Sequence, residues 1–396
     1  MKNFIFISPN FPENYWRFCK QLQCNGFNVL CIGDCPYDQL KDEVWGSLKE
    51  YYWVRNLENY EEVFRAVAFF VFKYGKIDFL ESNNEYWLER DAMLRTEFNI
   101  KSGFQQKDIK KIKFKSQMKR YYQKAGIKTA RYCLVKSLNG CKKFIKEVGY
   151  PVVVKPDNGV GANDTRKIEN EEQLERFFED KKYVQYIMEE FVCGEVNSYD
   201  AIINAEGEPV FETGNITPSS LMDVVNTNGD SMFYIVNELA EDIRAAGRAT
   251  VKAFNVKNRF IHFEFFRLTR DQYMGKKGEV VALEVNMRPS GGISPDMFNY
   301  ANSTDVYKIW ADIMAYGSTQ LTAGEKFFCA FAGRRDDRVY YYSEEEITSK
   351  YGAELKMVGR VPYALSGAMG DRMFVARLKT KEQVDEFYSC VFKTIG

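Results

Sequence analysis

Histidine is nearly absent from this sequence, which has only His262 among its 396 residues. A Ser-His-Asp or Cys-His catalytic centre would have to use that one residue, and a zinc site with several histidine ligands is excluded. The nine cysteines form no CxxC pair, and no apolar run is long enough to span a membrane. Because Met1-Lys2 leads directly into the strand-like FIFIS, we expect no signal peptide and reduced thiols in the cytoplasm.

Net charge is also absent, because 55 basic residues balance 55 acidic ones. No overall field therefore favours nucleic acid or an anionic membrane as a partner. The five lysines of 107–115 are interpreted as the exposed face of a helix rather than as a phosphate-binding patch. The length predicts two or three domains, and 45% apolar with 28% charged residues is typical of globular proteins.

Short apolar runs alternate with amphipathic segments over the N-terminal part of the chain. We predict strands at 4–7, 28–32, 52–54 and 77–80, and helices at 13–24 and 60–72. This alternation predicts a parallel α/β layer. No GxGxxG follows the first strand, so a dinucleotide site of the usual kind is not expected.

The pattern changes after this layer, where helices and strands are mixed. Helices are predicted at about 109–124, 141–148, 171–178 and 237–254, and strands in PVVVKP, YVQYIMEEFV, RFIHFEFFRL and EVVALEVN. We expect the polar loop from Thr213 to Asp230 to border a substrate pocket. Arg334-Arg335 either holds a substrate carboxylate or forms a solvated basic turn.

The segment LEVNMRPSGG ends an apolar strand with an acid, an amide and an arginine. Alternate strand residues share a face, which groups Val280 and Ala282 with Glu284 and Asn286. If RFIHFEFFRL pairs with this strand about a turn near Met274, Glu264 faces Glu284, and the two carboxylates repel each other.

A divalent cation would remove this repulsion between the two acids. Glu264, Glu284 and Asn286 offer only oxygen ligands, which suits Mg²⁺, and Arg288 adds a donor for an anion. The alternative is that Glu284 pairs with Arg288 at a strand end and does nothing else.

Lys155 ends the run VVVK, which is apolar on both faces, where lysine is seldom buried without a partner. The small residues of DNGVGA follow it and would let backbone N–H groups approach phosphate oxygens. A buried lysine, a glycine loop and a downstream cluster of two acids and an amide together predict a nucleotide site.

This combination resembles the ATP-grasp superfamily, specifically its L-amino acid ligase-like carboxylate-amine ligases and the related biotin carboxylase and carbamoyl-phosphate synthase branches. The resemblance covers about 112–314 and implies a mixed α/β and α+β fold. It implies an N-terminal parallel α/β domain at 1–108, preceding a two-lobed ATP-grasp fold with a small lid lobe at 109–193 and a C-terminal lobe carrying the metal site at 194–396.

The resemblance also implies roles for individual residues. Lys115 and Lys155 contact nucleotide phosphates, and the loop with Asn158, Gly159 and Gly161 folds over those phosphates. Glu189 takes the acidic adenine position, while the Glu190 carbonyl and the Val192 N–H bind the adenine edge. Glu264, Glu284 and Asn286 bind Mg²⁺, and Arg288 acts with Lys155 in catalysis. The family's ribose-binding acid is replaced by Val196, with Glu195 and Asp200 as the nearby acids. The implied cofactors are ATP and two Mg²⁺ ions, for which Mn²⁺ can substitute.

The implied function is ATP-dependent activation of a small carboxylate, such as an amino acid, as an acyl phosphate that is then joined to an amine, with release of ADP and phosphate. A carboxyphosphate-type enzyme and a non-catalytic ATP-binding regulator are the alternatives. His262 is interpreted as a packed residue that supports its neighbours. The expected partners are ATP and the small substrates, without nucleic acid or membrane, and a homodimer is possible.

Overall fold

The computed structural model describes residues 1–159, 164–218, 224 and 228–395. The N-terminal part is a parallel sheet of order β3-β2-β1-β4, flanked by helices. Its elements are β1 (Asn3–Ile7), α1 (Trp16–Cys24), β2 (Asn28–Gly33), α2 (Asp42–Trp45), β3 (Glu50–Trp53), α3 (Tyr60–Tyr74), β4 (Phe79–Glu81) and α4 (Leu88–Glu97). The predicted parallel α/β layer is confirmed.

A small antiparallel sheet of order β5-β8-β6-β7 follows. Its elements are β5 (Tyr132–Leu134), α7 (Leu138–Val148), β6 (Val152–Pro156), β7 (Arg166–Ile168), α8 (Glu171–Asp180) and β8 (Tyr186–Glu190). The two helices contribute Phe144 and Phe177 to a separate apolar cluster with Val152 and Met188.

Two short helices, α5 (Ile109–Lys113) and α6 (Lys115–Lys124), precede the small sheet. The single helix predicted at 109–124 is wrong, because Phe114 has extended backbone and forms a β-bridge with Asn158. Both helices bury apolar side chains against the largest sheet of the described structure rather than against the small one. The predicted limits 1–108, 109–193 and 194–396 stay predictions.

The largest sheet is antiparallel, with order β14-β13-β9-β11-β12-β15-β17-β16 and β10 paired to β9. Its strands are β9 (Gly194–Ile203), β10 (Pro209–Thr213), β11 (Asn215–Thr217), β12 (Ser231–Ile235), β13 (Arg259–Leu268), β14 (Val280–Asn286), β15 (Phe328–Arg334), β16 (Leu355–Arg360) and β17 (Arg372–Leu378). Its helices are α9 (Glu241–Phe254), α10 (Ser294–Asn302), α11 (Val306–Tyr316), α12 (Glu344–Lys350), α13 (Tyr363–Met369) and α14 (Lys381–Val391).

Aromatic packing joins the N-terminal sheet to the C-terminal part of the chain. The ring of Phe18 lies 5.1 Å from that of Trp310 and 4.7 Å from that of Tyr307, and Phe4 and Phe6 also meet Trp310 edge-on. All five rings are buried in one cluster. Each buried aromatic side chain stabilises the folded state by about 1.5–3 kcal/mol, so this junction belongs to the core.

Buried charges reinforce the same junction. Glu81, at the end of β4, lies 2.5 Å from the Arg259 guanidinium and 3.4 Å from that of Arg95. Arg259 also donates to the Met287 carbonyl at 2.8 Å. Burial raises the pKa of Glu81, but the two arginines outweigh it and hold the pKa below its usual value. Removing one partner from such a buried network costs about 3–5 kcal/mol.

Among the described residues, no helix combines the length and the apolar character that crossing a bilayer requires.

Candidate active site

A cavity of about 830 Å³ lies between the small sheet and the largest sheet. Both sheets supply charged lining residues, and the following predicted or newly identified site residues line it: Lys115, Lys119, Lys155, Glu189, Glu190, Val192, His262, Glu264, Glu284, Asn286 and Arg288. The structure therefore brings together both predicted lysines, the predicted acids and the predicted arginine.

The two acids lie directly opposite each other on β13 and β14, where Glu264 pairs with Glu284. The next pair on the same face joins His262 to Asn286. Directly opposed residues of an antiparallel pair have Cβ atoms about 4.5–5.5 Å apart, so the two carboxylates can reach one ion. The pairing expected from the sequence is found.

A β-bulge interrupts this strand pair immediately beside the acids. Glu264 pairs with Glu284 but Phe265 pairs with Ala282, which leaves Leu283 without an opposite residue. The predicted common face for Val280, Ala282, Glu284 and Asn286 holds for Glu284 and Asn286, which both line the cavity. It is wrong for Ala282, because the bulge moves Ala282 into the same buried apolar cluster as Val285.

Each of the two acids has a cationic neighbour. The Lys115 Nζ lies 3.1 Å from the Glu284 Oε1, and the His262 Nε2 lies 3.4 Å from the Glu264 Oε1. Burial raises the pKa of Glu264, but the hydrogen bond and charge of His262 outweigh it and lower the pKa. Glu264 is therefore held in surroundings that favour the carboxylate.

His262 is itself held by a buried acid on β9. Its Nδ1 lies 2.8 Å from the Asp200 Oδ1, and the Ser198 hydroxyl donates to the other oxygen of the same carboxylate. Burial lowers the pKa of His262, but Asp200 outweighs it and raises the pKa to about 9. His262 thus spans Asp200 and Glu264, which agrees with its interpretation as a supporting residue.

The donor set fits a magnesium ion. Two carboxylates from adjacent strands and the Asn286 side chain supply oxygen only. The described residues hold no group of three or more His, Cys, Asp or Glu that could bind a metal ion, so the ligand set is these two acids and the amide. Such a sparse set leaves positions for water and phosphate, which Mg²⁺ prefers to retain. Glu264, Glu284 and Asn286 would hold the ion.

The phosphate lysine predicted on β6 shares an acid with a second lysine. The Lys155 Nζ lies 2.6 Å from one oxygen of Glu189, and the Lys119 Nζ lies 2.5 Å from the other. Burial raises the pKa of Glu189, but the two lysines lower it to about 2. Sequence analysis missed Lys119; its signal is the spacing of four residues from Lys115, which puts both on one helix face.

Asp157 anchors the start of the predicted phosphate loop to α6. Its carboxylate accepts from the Ser116 N–H and hydroxyl, both at 2.7 Å, and its carbonyl accepts from the Lys115 N–H at 2.9 Å. The Gly159 carbonyl accepts from the Lys115 Nζ at 3.2 Å. These bonds join the end of β6 to the start of α6.

The structure describes only part of the predicted phosphate loop. Asn158 bridges Phe114, and neither Asn158 nor Gly159 lines the cavity as far as the described residues define it. Gly161 lies outside the described residues. Their contacts with phosphate therefore stay predictions.

The link between the two sheets also borders the cavity. Arg131 binds the Glu190 carboxylate with its backbone N–H at 2.7 Å and its guanidinium at 2.6 Å. The Gln272 side chain accepts from the Cys193 N–H at 2.9 Å and donates to its carbonyl at 2.8 Å. These bonds fix the backbone on both sides of Val192, which lines the cavity.

The structure does not support a nucleotide contact for Glu195. Val196 lines the cavity and Glu195 does not, because neighbouring strand residues face opposite ways. Glu195 pairs across the sheet with Arg267, and Asp200 is bound to His262. Asp200 is thus held by His262, and Glu195 lies on the strand face opposite Val196.

Arg288 lies beside an acid of the N-terminal sheet region that sequence analysis did not identify. Its Nε is 3.7 Å from the Glu85 Oε2, and Glu85 also binds the Lys113 Nζ at 2.8 Å. Arg288 donates to Asn286 at 3.3 Å. Lys113 and Lys115 are therefore buried and paired, so the exposed helix face predicted for 107–115 is wrong at these two positions.

Arg334 and Arg335 are buried away from the cavity, so both interpretations of this pair are wrong. Arg335 donates to the carbonyls of Gly229, Ser366 and Gly367 at 2.7–2.9 Å. Arg334 donates to the carbonyl of Val391 at 2.7 Å. The two guanidiniums satisfy backbone groups instead of a substrate or water.

Comparison with known proteins agrees with this arrangement. A family model described as the ATP-grasp domain matches residues 134–292. The C-terminal section of the carbamoyl phosphate synthase large chain of Aquifex aeolicus is 22% identical over 246 residues, which are 55% of this chain and 43% of that protein. The chain thus covers less than half the length of that relative.

Two further comparisons cover more of the chain. The L-arginine-specific L-amino acid ligase of Bacillus subtilis is 23% identical over 333 residues, which are 81% of this chain and 77% of that protein. The crystal structure of L-amino acid ligase from Bacillus licheniformis superposes with a TM-score of 0.71 at 15% identity, covering 98% of this chain and 96% of that one. The match to the ATP-grasp domain covers residues 134–292, and the likeness in fold covers nearly the whole chain.

Proposed function

We propose that the protein is an ADP-forming ligase, which activates a small carboxylate with ATP and joins it to an amine. The observation that carries the proposal is the opposition of two charge sets across one cavity. Lys115, Lys119 and Lys155 line it together with the Glu264–Glu284 pair, Asn286 and Arg288. Lys115 pairs with Glu284 across the cavity at 3.1 Å, and a magnesium-bound triphosphate needs both charge sets.

The nucleotide would lie with its base against the fixed link around Val192 and its phosphates towards Lys155 and Lys115. Mg²⁺ would neutralise charge on the phosphates from its place at Glu264, Glu284 and Asn286. Val192 and Arg288 both line the cavity, and Arg288 donates to Asn286 beside the metal acids, so the transferred phosphate would point towards Arg288. The two-ion content, the homodimer and the cytoplasmic location stay predictions.

The chemistry follows from these positions. A substrate carboxylate oxygen attacks the γ-phosphorus, the bond to the β-phosphate oxygen breaks, and ADP leaves. The amine then attacks the acyl carbon, loses a proton, and expels phosphate. Arg288 stabilises the negative charge that develops on the transferred group, and Lys155 holds the phosphate chain in line.

The cavity wall beyond the acids indicates the character of the substrate. Phe233, Leu365 and Met369 line this wall, and Gly292 lies against Met369, where a Cβ would come within 3.0 Å of its sulfur. We therefore propose that one of the two substrates carries an apolar side chain.

The test is substrate-dependent release of ADP and phosphate in a screen of amino acids and small acids with Mg²⁺. We expect apolar amino acids to stimulate release and hydroxylamine to trap the acyl phosphate as a hydroxamate. Glu284→Gln should lower turnover about 100-fold or more, by analogy with loss of a group that stabilises transition-state charge. Glu206→Gln, an exposed loop position, is the matched control and should not change turnover.

Three outcomes would contradict the proposal. AMP and pyrophosphate as products would exclude an acyl phosphate route. Bicarbonate-dependent ATP hydrolysis without an amine acceptor would favour the carboxyphosphate alternative. ATP binding without turnover for any carboxylate would favour a regulator.

A further inference from the structure

One buried carboxylate in the cavity wall is shared by two lysines. Glu189 stands near the end of β8 and is 6% exposed, with Lys119 and Lys155 equally buried on either side. The Lys119 Nζ is 2.5 Å from its Oε1 and the Lys155 Nζ is 2.6 Å from its Oε2. A single acid that needs one counter-ion therefore has two.

We propose that Lys119 is a positioning residue, which stays paired with Glu189 and so frees Lys155 to bind nucleotide phosphate. This inference rests on the proposed function. Without Lys119, any movement of Lys155 towards a phosphate would leave Glu189 buried and unpaired, which is strongly unfavourable. With Lys119 in place, Lys155 exchanges one anion for another and Glu189 keeps a partner throughout.

The surroundings of the two lysines differ in the way this division of roles requires. The acids that act on Lys155 are Glu189 and the metal-site pair, Glu284 and Glu264. Those that act on Lys119 are Glu189 and its neighbour Glu190. Lys155 is thus influenced by the metal acids as well as by Glu189, whereas Lys119 is influenced by Glu189 and Glu190, and the two lysines bind different oxygens of Glu189.

Packing also helps to fix the position of Lys119. Its Nζ lies 5.3 Å from the centre of the Tyr132 ring on β5. Burial lowers the pKa of Lys119 more than Glu189 raises it. Lys119 therefore depends on Glu189 for its charge, and the two act as one unit.

The test measures the affinity of the purified protein for MgADP by titration calorimetry, without carboxylate or amine. Lys119→Met should weaken binding about 10-fold, which corresponds to ~1.4 kcal/mol. Lys119→Arg should recover most of the affinity, since it keeps the positive charge. Lys124→Met, at an exposed position of the same helix, is the matched control and should bind as the wild type does.

The decisive comparison repeats Lys119→Met in a Glu189→Gln background. With the carboxylate gone, no counter-ion is needed, so the second substitution should change affinity less than about 3-fold. An equal loss in both backgrounds would overturn the inference, because Lys119 would then contact the nucleotide itself. Unchanged affinity on Lys119→Met alone would overturn it too.

Two further results separate this inference from the proposed function. A wild-type protein that fails to bind MgADP overturns both. A wild-type protein that binds MgADP but turns over no substrate overturns the ligase proposal and leaves the affinity comparison to decide the role of Lys119. If Lys119→Met does not fold, Lys119→Gln is compared in the same two backgrounds and decides by the same criteria.

Discussion

Glu189 should make the stability of this protein sensitive to acid, and Glu189→Gln should remove that sensitivity. Burial raises the pKa of this carboxyl, but Lys119 and Lys155 outweigh it and lower the pKa from 4.5 to about 2. A carboxyl whose pKa is lower in the folded state contributes stability above its unfolded pKa. That contribution is lost as the pH falls from 4.5 towards 2.

The size of the effect follows from the shift. A fall from 4.5 to about 2 corresponds to about 3 kcal/mol at neutral pH, at ~1.4 kcal/mol per unit. At pH 3.5 the unfolded carboxyl is mostly protonated and the folded one is not, so about 1.4 kcal/mol of this contribution is lost. The loss of stability should therefore be measurable between pH 3.5 and pH 7.

The assay is urea unfolding followed by circular dichroism at several pH values in this range. The difference in the free energy of unfolding between wild type and Glu189→Gln should narrow by about 1.4 kcal/mol from pH 7 to pH 3.5. The difference in unfolding free energy between wild type and Glu206→Gln, a variant at an exposed loop position, should not change with pH. If the difference in unfolding free energy between wild type and Glu189→Gln does not change with pH, the two lysines do not hold the Glu189 carboxyl ionised, and the prediction is wrong.

Two further predictions concern the packing and the buried arginines. Gly247→Ala should destabilise the fold by about 1–3 kcal/mol, because the added Cβ would lie 2.2 Å from the Tyr199 ring. The control Gly367→Ala should not destabilise the fold, because its Cβ would meet no atom within 4 Å. Equal shifts of the denaturant midpoint in the two variants would contradict this prediction. Arg335→Met should lower the unfolding free energy by about 1–3 kcal/mol, because three backbone carbonyls lose their hydrogen-bond donor. The affinity for MgADP should stay unchanged. Weaker MgADP binding would indicate that Arg335 belongs to the site.

The chemistry of the site could be predicted from the sequence where it depends on strand alternation. Glu264 and Glu284 lie on neighbouring strands joined by a short turn, so counting residues from the turn finds their pairing. Lys155 was recognisable because a lysine at the end of a fully apolar strand requires a partner. Both signals are local, and both led to residues that line the cavity.

Features that depend on distant parts of the chain could not be predicted. The helix breaks at Phe114 because Asn158, 44 positions away, pairs with its backbone. The role of Lys119 depends on Glu189, and the contact of Arg288 depends on Glu85. No local pattern encodes which of several lysines or arginines will meet a buried acid, because tertiary packing decides it.

The junction around Glu81 joins the N-terminal sheet to the strands that carry the metal acids. Arg259 binds that acid and also donates to the carbonyl just before Arg288. The small sheet, which carries Lys155, has its own apolar cluster apart from this junction. The cavity therefore takes its phosphate lysine from one sheet and its metal acids from another, so the spacing between these charges depends on how the two sheets are held together.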